Sequence, residues 1–216
     1  MRAILYAAGV AKQAGVSNAQ PLSRLVSQAV DSLSGTQYAI ADAIDHVPSK
    51  PGLYAVYADP KTWQELDLEA REGCPLYIGK AGRAEPQVRD IRTHFATGRT
   101  GSSTVRRSFA ALLRNPLGLR GVPRNMACPE RPANFGLAAE GDQRLTAWMQ
   151  ERLFLAYWVK PDTEVDLNDI ETAVIKRLQP PLNLNKVEHR LPALRHARKV
   201  MADDARTWAR ERGFPL

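Results

Sequence analysis

Two short segments set the tightest limit on what this chain can fold into. One reads PGLYAVYA over 51–58, the other CPLYIGKAG over 74–82. Each has the aromatic and β-branched content of a strand, and each places a glycine close to a tyrosine. Glycine weakens a strand, because it adds backbone entropy to the unfolded chain and packs nothing. Successive side chains point to opposite faces, so Tyr54 opposes Leu53, and Tyr77 opposes Leu76 and Ile78. If the strands pair, Tyr54 and Tyr77 share one face, which Gly52 and Gly79 would keep open. A floor lined with phenols suits a ligand, although a single tyrosine in a strand is more often a packing residue.

The rest of the chain supplies helices and one more strand. In PLSRLVSQAVDSLSG, Leu22, Leu25, Val26, Ala29, Val30 and Leu33 recur at helical spacing between Pro21 and Gly35. Residues 1–20 read as a loose arm. A second short helix is expected from Tyr38 to Val47, with Ala41, Ile44 and Val47 inward. The link 59–74 is long for a hairpin and holds Trp63, Leu66 and Leu68, which suggests a partly ordered insertion. VRDIRTHFATG reads as a helix ending at Gly98. Ser102 or Ser103 can then cap a helix carrying Val105, Phe109, Leu112 and Leu113. The Pro-, Gly- and Arg-rich stretch 115–143 reads as irregular. RLFLAYWV, 152–159, is a strand. DLNDIETAVIKRL is a helix stopped by Pro180 and Pro181. Pro192 to Arg212 forms an amphipathic basic helix with Leu194, Met201, Ala205 and Trp208 inward. This order gives a small mixed sheet covered by helices, of α/β or α+β class.

Charge is unevenly distributed. The chain of 216 residues carries a net +7. The segment 89–124 alone carries eight arginines against one acid, and 186–216 is net +4. The arginine fork grips phosphate bidentately, so a clustered arginine segment is the footprint of a nucleic-acid binder or simply a solvated face. Cys74 and Cys128 are too far apart in sequence to suggest a metal knuckle or a disulfide framework. No run of about 18 apolar residues exists, and MRAILYAAGVAKQAG is a poor signal peptide. The expected setting is cytoplasmic, with no membrane span.

One acidic residue lies where acids are costly. Leu167, Glu171, Val174, Ile175 and Leu178 fall on one stripe of their helix. A carboxylate on a core-facing stripe costs several kcal/mol unless it is paired or binds a metal. The ordinary alternative is an edge glutamate that reaches solvent or an arginine.

Taken together, GLY at 52–54, YIG at 77–79, an arginine and a histidine on the next helix, a helical glutamate and an asparagine after a proline turn resemble the GIY-YIG nucleases. ETAVIKRLQPPLN, from Glu171 to Asn183, is similar to the family's closing motif. YIGKAG is similar to the version in the excision-repair nuclease subunit. The resemblance covers about residues 48–186, which leaves 1–47 as an N-terminal helical extension and 187–216 as a basic C-terminal helix. It implies a three-stranded antiparallel sheet flanked by helices, and an endonuclease that hydrolyses phosphodiester bonds in DNA with one divalent ion, Mg²⁺ or Mn²⁺.

By the same resemblance, Glu171 would hold the metal. Tyr54 would orient or deprotonate the attacking water, and Tyr77 would help to position it. Arg89, or else Arg92, would steady charge on the phosphate, and His94 would sit near the attacking or leaving oxygen. Asn183 would fix the site from beyond the proline turn. The chemistry suits these residue types, since phosphoryl transfer needs in-line attack and neutralised charge, and magnesium can rest on few protein carboxylates. A phenol is a weak base unless its pKa falls from about 10, which Lys80, Arg89 and a metal would bring about. Lys80 could equally touch the nucleic-acid backbone or be solvated.

Several features depart from the family pattern: Leu53 replaces the motif isoleucine, the gap between the motifs is long, the stretch from Tyr77 to Arg89 is lengthened and contains a proline, and Arg89 lies five residues before His94 where the family tends to show about one helical turn. GRTGSST lacks the Gly-Lys-Ser/Thr ending of a nucleotide loop, but a glycine-rich turn into a capped helix can still hold a phosphate. With Arg99, Ser102, Ser103, Arg106 and Arg107, this segment is expected to grip nucleic acid, although a plain cap with surface arginines is the equal alternative. The competing readings of the whole chain are a non-catalytic nucleic-acid-binding module on the same fold and an interaction domain for an acidic partner.

Overall fold

A computed structural model describes residues 19–47, 50–81, 94–95, 98–130 and 135–214. Strands β1 (Tyr38–Ala39), β2 (Gly52–Ala58), β3 (Tyr77–Ala81) and β6 (Leu153–Val159) form one antiparallel sheet in the order β1-β6-β2-β3. β4 (Val122–Pro123) and β5 (Phe135–Gly136) make a separate short ribbon. The main sheet thus has four strands, one more than the expected three. The additional strand, β1, lies inside the segment read as a helix from Tyr38. Tyr38 and Ala39 pair with Leu155 and Phe154 before the chain turns into α2 (Ile40–His46), so the edge of β6 is covered.

The register decides what each face carries. Leu53, Ala55 and Tyr57 share a face with Ile78, Ala156 and Trp158. That face packs under α1 (Ala19–Leu33) and α6 (Leu167–Leu178), through Ala29, Leu33, Ile170 and Val174 among others. Tyr54 and Val56 lie on the opposite face with Leu153 and Leu155. They are covered by α2, α4 (Thr104–Leu112), α5 (Ala139–Arg152) and α7 (Pro192–Glu211). Each fully buried aliphatic or aromatic side chain contributes about 1.5–3 kcal/mol of transfer free energy, opposed by the entropy of ordering the chain. Because both faces are packed, the tyrosine face is part of a core and not the open floor expected from its glycines.

The long link between β2 and β3 is ordered by a short helix, α3 (Pro60–Glu65). The Asp59 side chain accepts from the Thr62 amide at 2.7 Å, and Trp63 and Leu66 are buried. Ser103 caps α4, and Asp166 caps α6. α6 ends at Gln179 in the left-handed conformation (φ 48°), just before Pro180. The stretch 115–143 is not wholly irregular, because it contains β4, β5 and the start of α5. α5 has a thin apolar stripe of Leu145, Trp148 and Met149 and a glycine in its first turn, which is a weak helical signal. α7 buries Leu194, Met201, Ala205 and Ala209. Trp208, expected inward, stays partly exposed with the Arg212 guanidinium 4.0 Å from its ring centre. The helix expected over 88–98 and the arm over 1–20 fall almost wholly outside the described residues. No helix among the described residues is long and apolar enough to cross a membrane.

Candidate active site

The antiparallel register sets Tyr54 directly opposite Gly79 and puts Tyr77 two residues along the same strand, opposite Val56. The two phenol rings therefore lie diagonally on one face, 6.2 Å between centres. A Cβ on Gly79 would come within 2.4 Å of both the Tyr54 hydroxyl oxygen and its ring carbon Cζ. Glycine at 79 is thus what lets the Tyr54 ring lie flat across β3. His94 closes the group from above, 6.0 Å from Tyr54, and Phe95 meets Tyr54 edge-on.

Electrostatics assign protonation states to this cluster. Burial pushes the Tyr77 phenol up to about 12, and the negative charge of Glu171 adds to the rise, while Arg198 and Arg107 oppose it. Tyr77 is therefore a neutral phenol near pH 7 and a hydrogen-bond donor. Burial, with the nearby Arg106 charge, brings His94 down to about 4. Its imidazole is neutral near pH 7 and can accept a hydrogen bond. His94 Nδ1 lies 2.8 Å from Ser103 Oγ, which itself accepts from the Arg106 amide at 3.2 Å.

Glu171 reaches the site from α6 and is 9% exposed. Its Oε2 accepts from Lys186 Nζ at 2.6 Å and lies 3.6 Å from Lys80 Nζ. Both ammonium groups also donate to Asn168 Oδ1, at 2.9 and 3.0 Å. Two oxygens thus converge on cationic groups. This is chemistry that fits a hard divalent ion keeping most of its waters. Among the described residues no cluster of three or more His, Cys, Asp and Glu exists, so such an ion would rest on Glu171. Lys186 was not singled out in the sequence. Its only signal was its place three residues beyond Asn183, and it takes a left-handed backbone (φ 70°) there.

Asn183 works through the backbone of β3. Its Oδ1 accepts from the Ile78 amide and its Nδ2 donates to the Ile78 carbonyl, both at 2.9 Å. The Leu182 amide donates to Leu76 O at 3.0 Å. The side-chain amide acts as a surrogate peptide group along the free edge of β3, next to Tyr77.

The GRTGSST segment departs from its expected role. Arg106 is fully buried, and all three guanidinium nitrogens are engaged. Nη2 donates to Asp142 Oδ1 and O, both at 3.1 Å, Nη1 to His94 O at 3.1 Å, and Nε to Thr100 Oγ1 at 3.3 Å. A phosphate cannot reach it, so its expected backbone grip is corrected to an internal staple that holds His94 against α5. Ser103 is likewise buried, as the α4 cap. Arg99 and Ser102 remain exposed and line a different concavity of about 930 Å³ with Arg124, Met126 and Trp208. Arg107 is 7% exposed and donates to Gly101 O at 2.7 Å. Two more arginines of the basic segment are paired with α7, Arg114 with Asp204 (2.9 and 3.1 Å) and Arg120 with Glu211. Arg89 and Arg92 lie outside the described residues.

The family model described as GIY-YIG catalytic domain matches residues 52–201. The chain belongs to the GIY-YIG family. The match carries nuclease-type function in general, and its span begins at the first glycine–tyrosine strand and runs into α7. No curated protein and no solved structure matches the chain. Within a GIY-YIG domain, Tyr54, Tyr77, His94 and the Glu171 carboxylate form one neighbourhood, while Arg99 and Ser102 line another.

Proposed function

We propose that the protein is a metal-dependent endonuclease that hydrolyses phosphodiester bonds in DNA. The observation that carries this reading is the gathering of Tyr54 with Tyr77, 6.2 Å away, and His94, 6.0 Å away, where the charge of the nearly buried Glu171 acts on the Tyr77 phenol. Hydrolysis adds water to phosphorus and expels one ester oxygen, so the site must remove a proton from water and return one to the leaving oxygen. His94, brought down to about 4, is neutral near pH 7; it is a weak base there and can accept a hydrogen bond from the attacking water rather than hold its proton. Tyr54 and Tyr77, as phenols, donate hydrogen bonds that orient water or phosphate oxygen. Glu171 would hold Mg²⁺ or Mn²⁺, which when bound supplies Lewis acidity and lowers the pKa of water. Asn183 positions Tyr77 through Ile78. Lys80, 40% exposed along its side chain, can turn from Glu171 toward a phosphate oxygen. The working domain is taken as 48–186, with 1–47 and 187–216 as extensions, in a cytoplasmic setting.

A second reading, a non-catalytic binding module, has one observation in its favour. Lys186 and Lys80 already neutralise Glu171, so a metal would have to displace or share them. Incubation with supercoiled plasmid and with branched DNA, in Mg²⁺, in Mn²⁺ and in EDTA, separates the two. Cleavage in either metal and none in EDTA is expected. Stable DNA binding with no cleavage in any metal would favour the module.

A further inference from the structure

Beside Tyr77 lies a cavity of about 350 Å³ that belongs neither to the tyrosine cluster nor to the Arg99 groove. Its lining includes Arg107 of α4, Arg195 and Arg198 of α7, and Arg190 just before that helix, with Thr104 and Asn185 at its wall. Among the described residues no carboxylate lines it. Among the described residues, Arg190, Arg195 and Arg198 form no ion pair. Arg107 is more than nine-tenths buried, and its Nε is buried with no hydrogen-bond partner. Arg190 and Arg195 are exposed at the cavity's mouth and Arg198 is half-buried, so the buried charge is that of Arg107, which is unfavourable beside other cations unless an anion joins them. The strain shows in Arg107, which burial and the nearby Arg198 and Arg124 charges bring down to about 10, and in Arg198, lowered by burial. Thr104 opens α4, whose N-terminal end adds partial positive charge. Leu184 and Asn185 of the lining follow Asn183, whose side chain is bonded to Ile78 next to Tyr77, which sets the cavity at the flank of the candidate active site; the Arg107 and Arg198 charges also act on the Tyr77 phenol.

We propose that this arginine cavity is a phosphate subsite that seats a backbone phosphate of the nucleic acid next to the one cut. It rests on the nucleic-acid part of the proposed function. Guanidinium forks match phosphate oxygens bidentately, and four of them from three segments would fix the strand's register on Tyr77. α7 then serves as one wall of the substrate path. This also accounts for the two ion pairs, through Arg114 and Arg120, that pin α7 to the domain.

The test measures binding, not cleavage, on a Glu171→Ala background. Affinity for a short fluorescent duplex is followed against salt, with and without Arg195→Ala/Arg198→Ala. Arg206→Ala, on the same helix but outside the cavity, is the control. The cavity variant should bind roughly 10-fold more weakly, with the salt slope lower by about one. Single methylphosphonate substitutions should reveal one flanking phosphate whose neutralisation weakens the intact chain about 10-fold and leaves the cavity variant unaffected. An unchanged slope, or a methylphosphonate effect identical in both proteins, overturns the proposal. So does arginine-dependent binding of inorganic phosphate with no change toward the duplex, which would assign the cavity to a free anion. The nuclease reading fails separately. A chain that never cuts but shows the arginine-dependent slope keeps the subsite, and a chain that cuts with an unchanged slope loses only the subsite.

Discussion

Gly79→Ala should change sign with its neighbour. Gly79 does not have the positive φ that would exclude alanine, so the backbone accepts the substitution and only the space above it objects. The added Cβ would stand 2.4 Å from both Oη and Cζ of Tyr54 and 2.8 Å from Cε1. Ordinary contact begins near 3.4 Å, so the ring must retreat by about 1 Å into a packed core, at a cost of about 1–3 kcal/mol. A displacement of that size at a reacting centre can also cost about 10²-fold in rate. In a Tyr54→Ala background the obstruction is gone. There Gly79→Ala should be neutral or stabilise by about 0.4–1 kcal/mol, through loss of unfolded-chain entropy. Urea denaturation of the four proteins in this double-mutant cycle reads the coupling directly. Equal effects of Gly79→Ala in both backgrounds would refute the idea that this glycine exists to seat the Tyr54 ring.

The Arg106–Asp142 pair should be internal and not substrate-facing, so Arg106→Met should destabilise by about 3 kcal/mol, because Asp142 keeps its bonds from Thr100 but loses its counter-ion, and any loss of DNA affinity should follow the unfolded fraction in a paired melt and binding assay. Asn183→Ala should cost about 1–3 kcal/mol by orphaning the Ile78 amide or carbonyl, seen as faster hydrogen exchange at Ile78. His94 is near 4 in the folded chain against an ordinary 6.5, so the folded state binds fewer protons. Its contribution is complete above about pH 6.5 and falls away by about 3 kcal/mol as pH drops through 4, and the wild type minus His94→Asn difference in urea stability isolates it. Glu171→Gln removes a negative charge from beside Tyr77, so the Tyr77 phenol should titrate below its value of about 12 when tyrosinate absorbance is compared with Tyr77→Phe.

Much of the fold was legible because it rested on local periodicity. The strands at 52–58 and 153–159, the capped helix after Ser103 and the helix stopped by Pro180 each carry their signal within about ten residues. Features set by tertiary pairing were less visible. Tyr38 and Ala39 form a strand only because β6 offers an unpaired edge. α5 forms with a sparse stripe because Asp142 in its first turn anchors Arg106. The arginines were the hardest to read, since composition cannot distinguish a buried staple such as Arg106, a helix clamp such as Arg114 and a cavity wall such as Arg107. The register that sets Gly79 opposite Tyr54 came from the structure, whereas the sharing of one face by Tyr54, Tyr77 and Gly79 followed from alternation and pairing. The burial of that face did not, because the helices that cover it come from distant parts of the chain. Lys186 was missed for the same reason: nothing local marks a lysine whose ammonium will lie against a carboxylate fifteen residues earlier.

The most direct measurement is plasmid nicking by wild type and Glu171→Ala in Mg²⁺, with DNA affinity of both proteins measured in parallel. The account predicts nicking by the wild type, its loss in Glu171→Ala, and binding retained by both. Undiminished nicking by Glu171→Ala would contradict the central role given to that carboxylate.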